Sequence, residues 1–135
     1  MERRLDTISF VGTVSAGAEK TLVSQRIGTE FKTKQVLISF PDGQNRLVQF
    51  SVFISPDKRA PTTGKPTGLN IFESLGQVSY VVGNDEQKTL PVEKPYTSRG
   101  AYIKVYAKNN DGVQHTMDVQ AIIEIIENAT NNSPS

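Results

Sequence analysis

Between Gly100 and Glu127 the chain alternates apolar and polar residues with few breaks. Ala101, Ile103, Val105 and Ala107 fall on one face of an extended segment, and Tyr102, Lys104, Tyr106 and Lys108 on the other. After a turn at Asn110-Asp111-Gly112, Met117, Val119, Ala121, Ile123 and Ile125 alternate with Thr116, Asp118 and Gln120. A period of two is the geometry of a strand with one buried face, so this stretch predicts an antiparallel hairpin and an all-β protein. A tight turn at Asp111-Gly112 would set Val105 opposite Asp118 and place a carboxylate in the apolar layer, at a cost in desolvation. An odd connection or one bulge instead pairs Val105 with Val119 and Tyr106 with Asp118, and that register is expected.

The rest of the chain reads the same way. Thr7 to Val14 alternates, with Ile8, Phe10 and Val14 on one face, and Lys20 to Ile27 is a weaker strand. Phe31 opens a polar link, after which Val36, Ile38 and Phe40 form an inner face. Pro41-Asp42-Gly43 predicts a three-residue hairpin turn with a bulge at Gly43, leading to a strand from Leu47 to Ile54. Ser55 to Gly68 has no periodicity and three prolines, and unstructured loops of this length are usually functional or disordered. Asn70 with Glu73 three residues on, then Gly76, predicts one capped helical turn, with a short irregular strand as the alternative. Val78 to Val82 reads as a strand and Gly83-Asn84-Asp85 as a turn. Gln87 to Val92 contains Pro91, which cannot donate to a ladder, so it reads as an edge strand or no strand. Eight or nine short strands with almost no helix predict a single-domain antiparallel β-sandwich, jelly-roll-like, over residues 1–127. Residues 128–135 read as a flexible polar tail.

Composition excludes several function classes. With 15 basic and 14 acidic residues in 135, the chain lacks the excess of cations on which nucleic-acid affinity rests. The absence of cysteine removes disulfides, thiolate metal sites and thiol nucleophiles together. No apolar run approaches the roughly 20 residues of a membrane span. The apolar stretch near the N-terminus is short and broken by Ser9, Gly12 and Thr13, so it reads as a strand with no signal peptide, and cytoplasmic synthesis is expected.

No catalytic residue, metal site or cofactor is predicted. The single histidine, His115, has no nucleophile motif to complete a triad and reads as a solvent-exposed turn residue. Thr63-Gly64-Lys65-Pro66 has Arg59 and Pro66 where a phosphate loop needs Gly and Ser or Thr. Asn109 to Gly112 lacks the spacing and terminal Glu of a calcium loop. Asn128-Ala129-Thr130 and Asn131-Asn132-Ser133 match glycosylation acceptors, which need an exported chain.

What remains is a candidate binding surface. Tyr102, Lys104, Tyr106 and Lys108 share one face, which the expected register places beside Asp118. Lys58, Arg59 and Lys65 lie in the long loop, and Arg99 precedes the flexible Gly100. Tyrosine and arginine are enriched at protein interfaces, and tyrosine also stacks on sugar rings. An ordinary half-solvated sheet would carry the same residues. From Thr7 to Glu127 the architecture resembles jelly-roll accessory proteins of phage and viral particles, such as capsid decoration or tail components. That resemblance implies a non-catalytic structural module, a homo-oligomer or lattice of protein contacts, and a place in the virion. The alternatives are a carbohydrate- or ligand-binding module using the Tyr/Lys face, against which stands the absence of Trp, and a small hydrolase or lyase.

Overall fold

A computed structural model describes residues 2–61, 64–76, 78–97 and 100–127. Among them are eight strands: β1 (Glu2–Val14), β2 (Glu19–Val23), β3 (Glu30–Phe40), β4 (Val48–Ser55), β5 (Leu69–Asn70), β6 (Glu86–Tyr96), β7 (Tyr102–Asn109) and β8 (His115–Glu127). A single helical turn, α1 (Ile71–Ser74), follows β5. No helix among the described residues is long and apolar enough to cross a membrane. Arg99 and the tail at 128–135 lie outside the described residues.

The strands form two four-stranded sheets, a back sheet in the order β1-β8-β3-β6 and a front sheet in the order β2-β7-β4-β5. The expected antiparallel β-sandwich is the fold. Its pairing is nested, with β1 against β8, β2 against β7, β3 against β6 and β4 against β5. Only β4 and β5 are neighbours in both sequence and sheet, so every other connection crosses between the sheets.

The inner faces are the alternating sets that the sequence marks. Val36, Ile38 and Phe40 of β3 and Met117, Val119, Ala121 and Ile123 of β8 are buried against Val48, Phe50, Val52 and Ile54 of β4 and Ile103, Val105 and Ala107 of β7. Phe40 and Phe50 meet edge to face across the two sheets, with centroids 5.5 Å apart and planes at 74°. The helical turn is capped as expected: the Asn70 side chain accepts from the Phe72 and Glu73 amides, and Gly76 follows at φ 78°. β6 is an edge strand, as Pro91 requires.

Several local expectations fail, each for a physical reason. β7 and β8 are not a hairpin. β7 lies between β2 and β4 in the front sheet, and β8 between β1 and β3 in the back sheet, so Val105 pairs with Val52 and Leu22, and Val119 with Phe10 and Ile38. Alternation reports which side faces the core, and two facing sheets need the same alternation as two paired strands. Pro41 to Gly43 likewise leads a crossover, held by Asn84, whose Oδ1 accepts from the Gly43 and Asn45 amides at 2.9 Å each. Phe31 belongs to β3 and is fully buried. A bulge between Thr33 and Gln35 reverses the facing of residues, so Phe31 and Thr33 point inward at odd positions and Val36 to Phe40 at even ones. The expected strand at Val78 to Val82 reduces to one bridge, Val81 with Phe50. Its Ser79 carbonyl is taken by the Ser51 hydroxyl and the Asn70 amide.

Candidate functional site

The outer face of the front sheet is not open to solvent along its length. The described chain at 56–61 and 64–68 lies across it as a strap, tied to the sheet through Asp57, Gly64 and Thr67. Two turns shape its ends. The Asp57 amide donates to the Ser55 hydroxyl at 3.2 Å, and Gly68 brings the chain back at φ 127°. A Cβ at position 68 would lie 2.7 Å from the Ile54 carbonyl oxygen and 2.8 Å from Ser55 Cβ, so the strap can return to β4 only through glycine.

Lys104 is the anchor beneath the strap. It points away from the core, yet its side chain is fully buried. Lys104 Nζ donates to Asp57 Oδ1 at 2.8 Å, to Thr67 Oγ1 at 3.1 Å and to the Thr67 carbonyl at 3.3 Å. The Asp57 carboxylate also accepts from the Arg59 amide at 3.0 Å and the Thr67 hydroxyl at 2.8 Å. The Lys104 ammonium, then these two neutral donors, hold the Asp57 carboxyl well below the usual carboxylate range. A buried ammonium with three acceptors around it is satisfied, which makes its burial tolerable.

A second tie lies two residues along β7. The Tyr106 hydroxyl donates to the Glu19 carboxylate of β2, and Glu19 also accepts from the Gly64 amide in the strap. Burial, then this carboxylate, pushes the Tyr106 phenol up, and the phenol in turn draws the Glu19 carboxyl down. Beside these groups is a cleft of about 290 Å³ whose walls include Glu19, Gly64, Lys65, Tyr80, Tyr106 and Lys108. Its ionisable groups largely satisfy each other, and among the described residues no three His, Asp or Glu side chains converge as metal ligands do. The arrangement is a docked surface whose carboxylates, Asp57 and Glu19, are engaged within the molecule.

The candidate residues from the sequence therefore divide. Tyr102, Lys104, Tyr106 and Lys108 of β7 and Lys58, Arg59 and Lys65 of the strap do meet on one side of the sandwich. Lys104 and Tyr106 are not exposed, however, because the strap and Glu19 cover them; Tyr102 is half-buried, and Lys58, Arg59, Lys65 and Lys108 are exposed. Asp118 is not beside Tyr106. It lies in β8 of the back sheet, opposite Val11, on a surface lined by Ser39, Asp85, Glu86 and Thr116. Arg99 falls outside the described residues. Asp57, Thr67 and Glu19 carry the site's electrostatics and were not marked by any sequence motif. The one available signal for them was a lysine in the middle of a strand, which needs a carboxylate if it is buried.

His115 is not a solvent-exposed turn residue. Its side chain is 9% exposed, and Nε2 lies 2.8 Å from Asp111 Oδ2, which lowers the Asp111 carboxyl. No serine or threonine hydroxyl is hydrogen-bonded to this pair among the described residues.

No protein-family model matches the sequence, and no curated protein matches it. Among solved structures, the chain is similar to a structure of infectious bursal disease virus, Gt strain, with a TM-score of 0.50 and 7% identity over 91% of this chain. It is also similar to the VP2 protein of infectious bursal disease virus in derived T=1 particles, with a TM-score of 0.47 and 11% identity over 91% of this chain. The chain spans about a third of those proteins, 31% and 32% of their lengths. The likeness of fold rests on the first.

Proposed function

We propose that this chain is a non-catalytic structural module of a virus-type particle, acting through protein–protein contacts, with capsid decoration or a tail component as its specific role. The observation that carries the reading is the nested strand order. Eight strands paired one with eight, two with seven, three with six and four with five support a jelly-roll reading of the sandwich, an architecture common among viral capsid and lectin domains. The fold likeness to a structure of infectious bursal disease virus supports the same reading. A lectin-like use of the β7 face is less well supported, because the Tyr106 ring is covered and its hydroxyl is engaged by Glu19, so Tyr102 and Tyr106 do not form an open pair for a sugar to stack on.

The test is localisation. Particles purified from the native source are labelled with a gold-tagged antibody to this chain and viewed by electron microscopy. Regular labelling on a particle shell or tail is expected. A chain recovered only as free protein, while particles from the same source are unlabelled, would sink the proposal.

A further inference from the structure

We infer that the free edge of β1 is a self-association site, at which a second copy of this chain pairs antiparallel and joins two back sheets into one continuous eight-stranded sheet. The inference rests on the assembly reading above and names the surface and the partner.

The two edges of the back sheet are built differently. β6, at one edge, is protected against strand addition. It carries Pro91 and Pro95, has Glu93 at φ 49°, and faces the bulge between Thr33 and Gln35. Prolines, bulges and irregular backbone are the usual devices that keep a sheet edge from templating another strand. β1, at the other edge, has none of them. It is 13 residues long, contains no proline, and pairs with β8 from Glu2↔Glu127 to Val14↔His115 without a register shift. At about 3.4 Å per residue it presents roughly 44 Å of regular ladder. Among the described residues no strand pairs with its outer side. Leu5 and Val11 stand on its solvent face at 63% and 69% exposure.

The residue pattern of the strand suits antiparallel pairing with a second copy of itself. All charged residues of β1 lie between Glu2 and Asp6, and Thr7 to Val14 carries none. Parallel pairing of two copies would bring like charges together. Antiparallel pairing centred on Ile8 sets the charged half of each strand against the uncharged half of its partner. In that register Arg4 faces Gly12, Asp6 faces Phe10, Thr7 faces Ser9 and Leu5 faces Val11. The solvent face then reads apolar, polar, polar, apolar in both directions, so the two exposed apolar residues meet twice about the two-fold axis. An isologous contact of this kind closes on itself and makes a dimer.

The experiment is sedimentation-velocity analysis of the full chain over a range of concentrations, with two double variants on the solvent face of β1. The L5K/V11K variant puts Lys opposite Lys twice in the proposed register, and the L5K/V11E variant puts Lys opposite Glu twice. Wild type is expected to dimerise reversibly. L5K/V11K is expected to weaken dimerisation by at least about tenfold, from two like-charge cross-strand pairs and the loss of two apolar ones, and L5K/V11E to recover most of that loss. A wild type that stays monomeric at about 1 mM, where even weak self-association would register, overturns the inference. Dimerisation unaffected by L5K/V11K, or no better in L5K/V11E than in L5K/V11K, overturns it as well. Should a variant fail to fold, hydrogen exchange of the wild type decides: slower exchange of β1 amides at high concentration is expected, and concentration-independent exchange refutes the pairing. The particle role fails separately. Association through another surface leaves that role intact, and a β1 dimer absent from particles removes only the particle role.

Discussion

Asn109, the last residue of β7, should be the most sensitive polar position in the molecule. Its side chain is 1% exposed. Nδ2 faces three carbonyl oxygens, Val14 at 3.2 Å, Ser15 at 3.1 Å and Val113 at 2.8 Å, while Oδ1 accepts from the Asp111 amide at 2.9 Å. One side chain thus ties the end of β1, the β1–β2 turn and the β7–β8 crossover together. Two amide hydrogens serve the three carbonyls, so the ledger is two donated bonds and one accepted. At about 1 kcal/mol net for each, Asn109→Ala costs roughly 3 kcal/mol, less whatever water entering the vacated space restores. For a chain of this length that is a fall in Tm of about 12 °C, at about 4 °C per kcal/mol. Asn109→Asp tests the polarity of the site at nearly constant shape. It keeps the acceptor for Asp111 but aims a carboxylate oxygen at the three carbonyls, which raises the folded-state pKa of the new group. A raised carboxyl pKa makes the folded state bind the proton more tightly, so the penalty is full at neutral pH and fades as pH falls toward the unfolded value near about 4. Urea and thermal unfolding followed by circular dichroism should therefore rank wild type above Asn109→Ala and Asn109→Ala above Asn109→Asp at pH 7, with the last gap narrowing in acid. Asn110→Ala, one residue on and exposed, is the control and should stay within about 0.5 kcal/mol. An Asn109→Ala variant within that same margin, or an Asn109→Asp variant that outlasts it at pH 7, would refute the hub.

The strap makes two further predictions. Gly68→Ala should destabilise more than Gly43→Ala: both positions have positive φ, but only at 68 would the new methyl strike backbone, at 2.7 Å from the Ile54 carbonyl oxygen. The strain alone is about 1–3 kcal/mol at either site, so the difference in unfolding free energy between the two variants isolates the clash. The docking of the strap through Asp57 should also weaken in acid. Asp57 has a lowered carboxyl pKa when folded, so its contribution is complete above the unfolded value of about 3.9 and is lost as pH falls through the folded one. Proteolysis at the strap should rise on acidification in the wild type, and in Asp57→Asn it should start high and respond less to pH; equal pH dependence in the two would count against the Lys104–Asp57 tie.

The sequence made facing legible and adjacency obscure. Every alternating residue of β4, β7 and β8 that reads as apolar does point into the core, because a period of two is a property of a strand by itself. Which strands lie side by side is a property of the whole chain. The Pro41 to Gly43 turn and the Asp111-Gly112 turn look like hairpins because a crossover uses the same small and polar turn residues. What separates a crossover from a hairpin here is side-chain hydrogen bonding over long separations, Asn84 to Gly43 and Asn109 to Val14, which no local pattern announces. The β3 bulge hid Phe31 for a related reason: one inserted residue turns a continuous strand into two runs of opposite parity.

The same distinction applies to the candidate site. A Tyr-Lys alternation on the outer face of β7 suggested a surface offered to a partner. Half of it is instead used within the molecule, since Lys104 holds Asp57 of the strap and Tyr106 holds Glu19 of β2. The consequence is a shift in what this side of the sandwich can present. A partner arriving here meets Lys58, Arg59, Lys65 and Lys108 at the surface, four cations over a layer whose carboxylates, Asp57 and Glu19, are already engaged. Among the described residues no strand covers the outer side of β1, whose edge is regular, apolar at two points and uncharged over its second half. The chain thus closes one face with its own loop and, among the described residues, leaves the long β1 edge without a partner strand, and regular edges of that kind are what template association in all-β proteins.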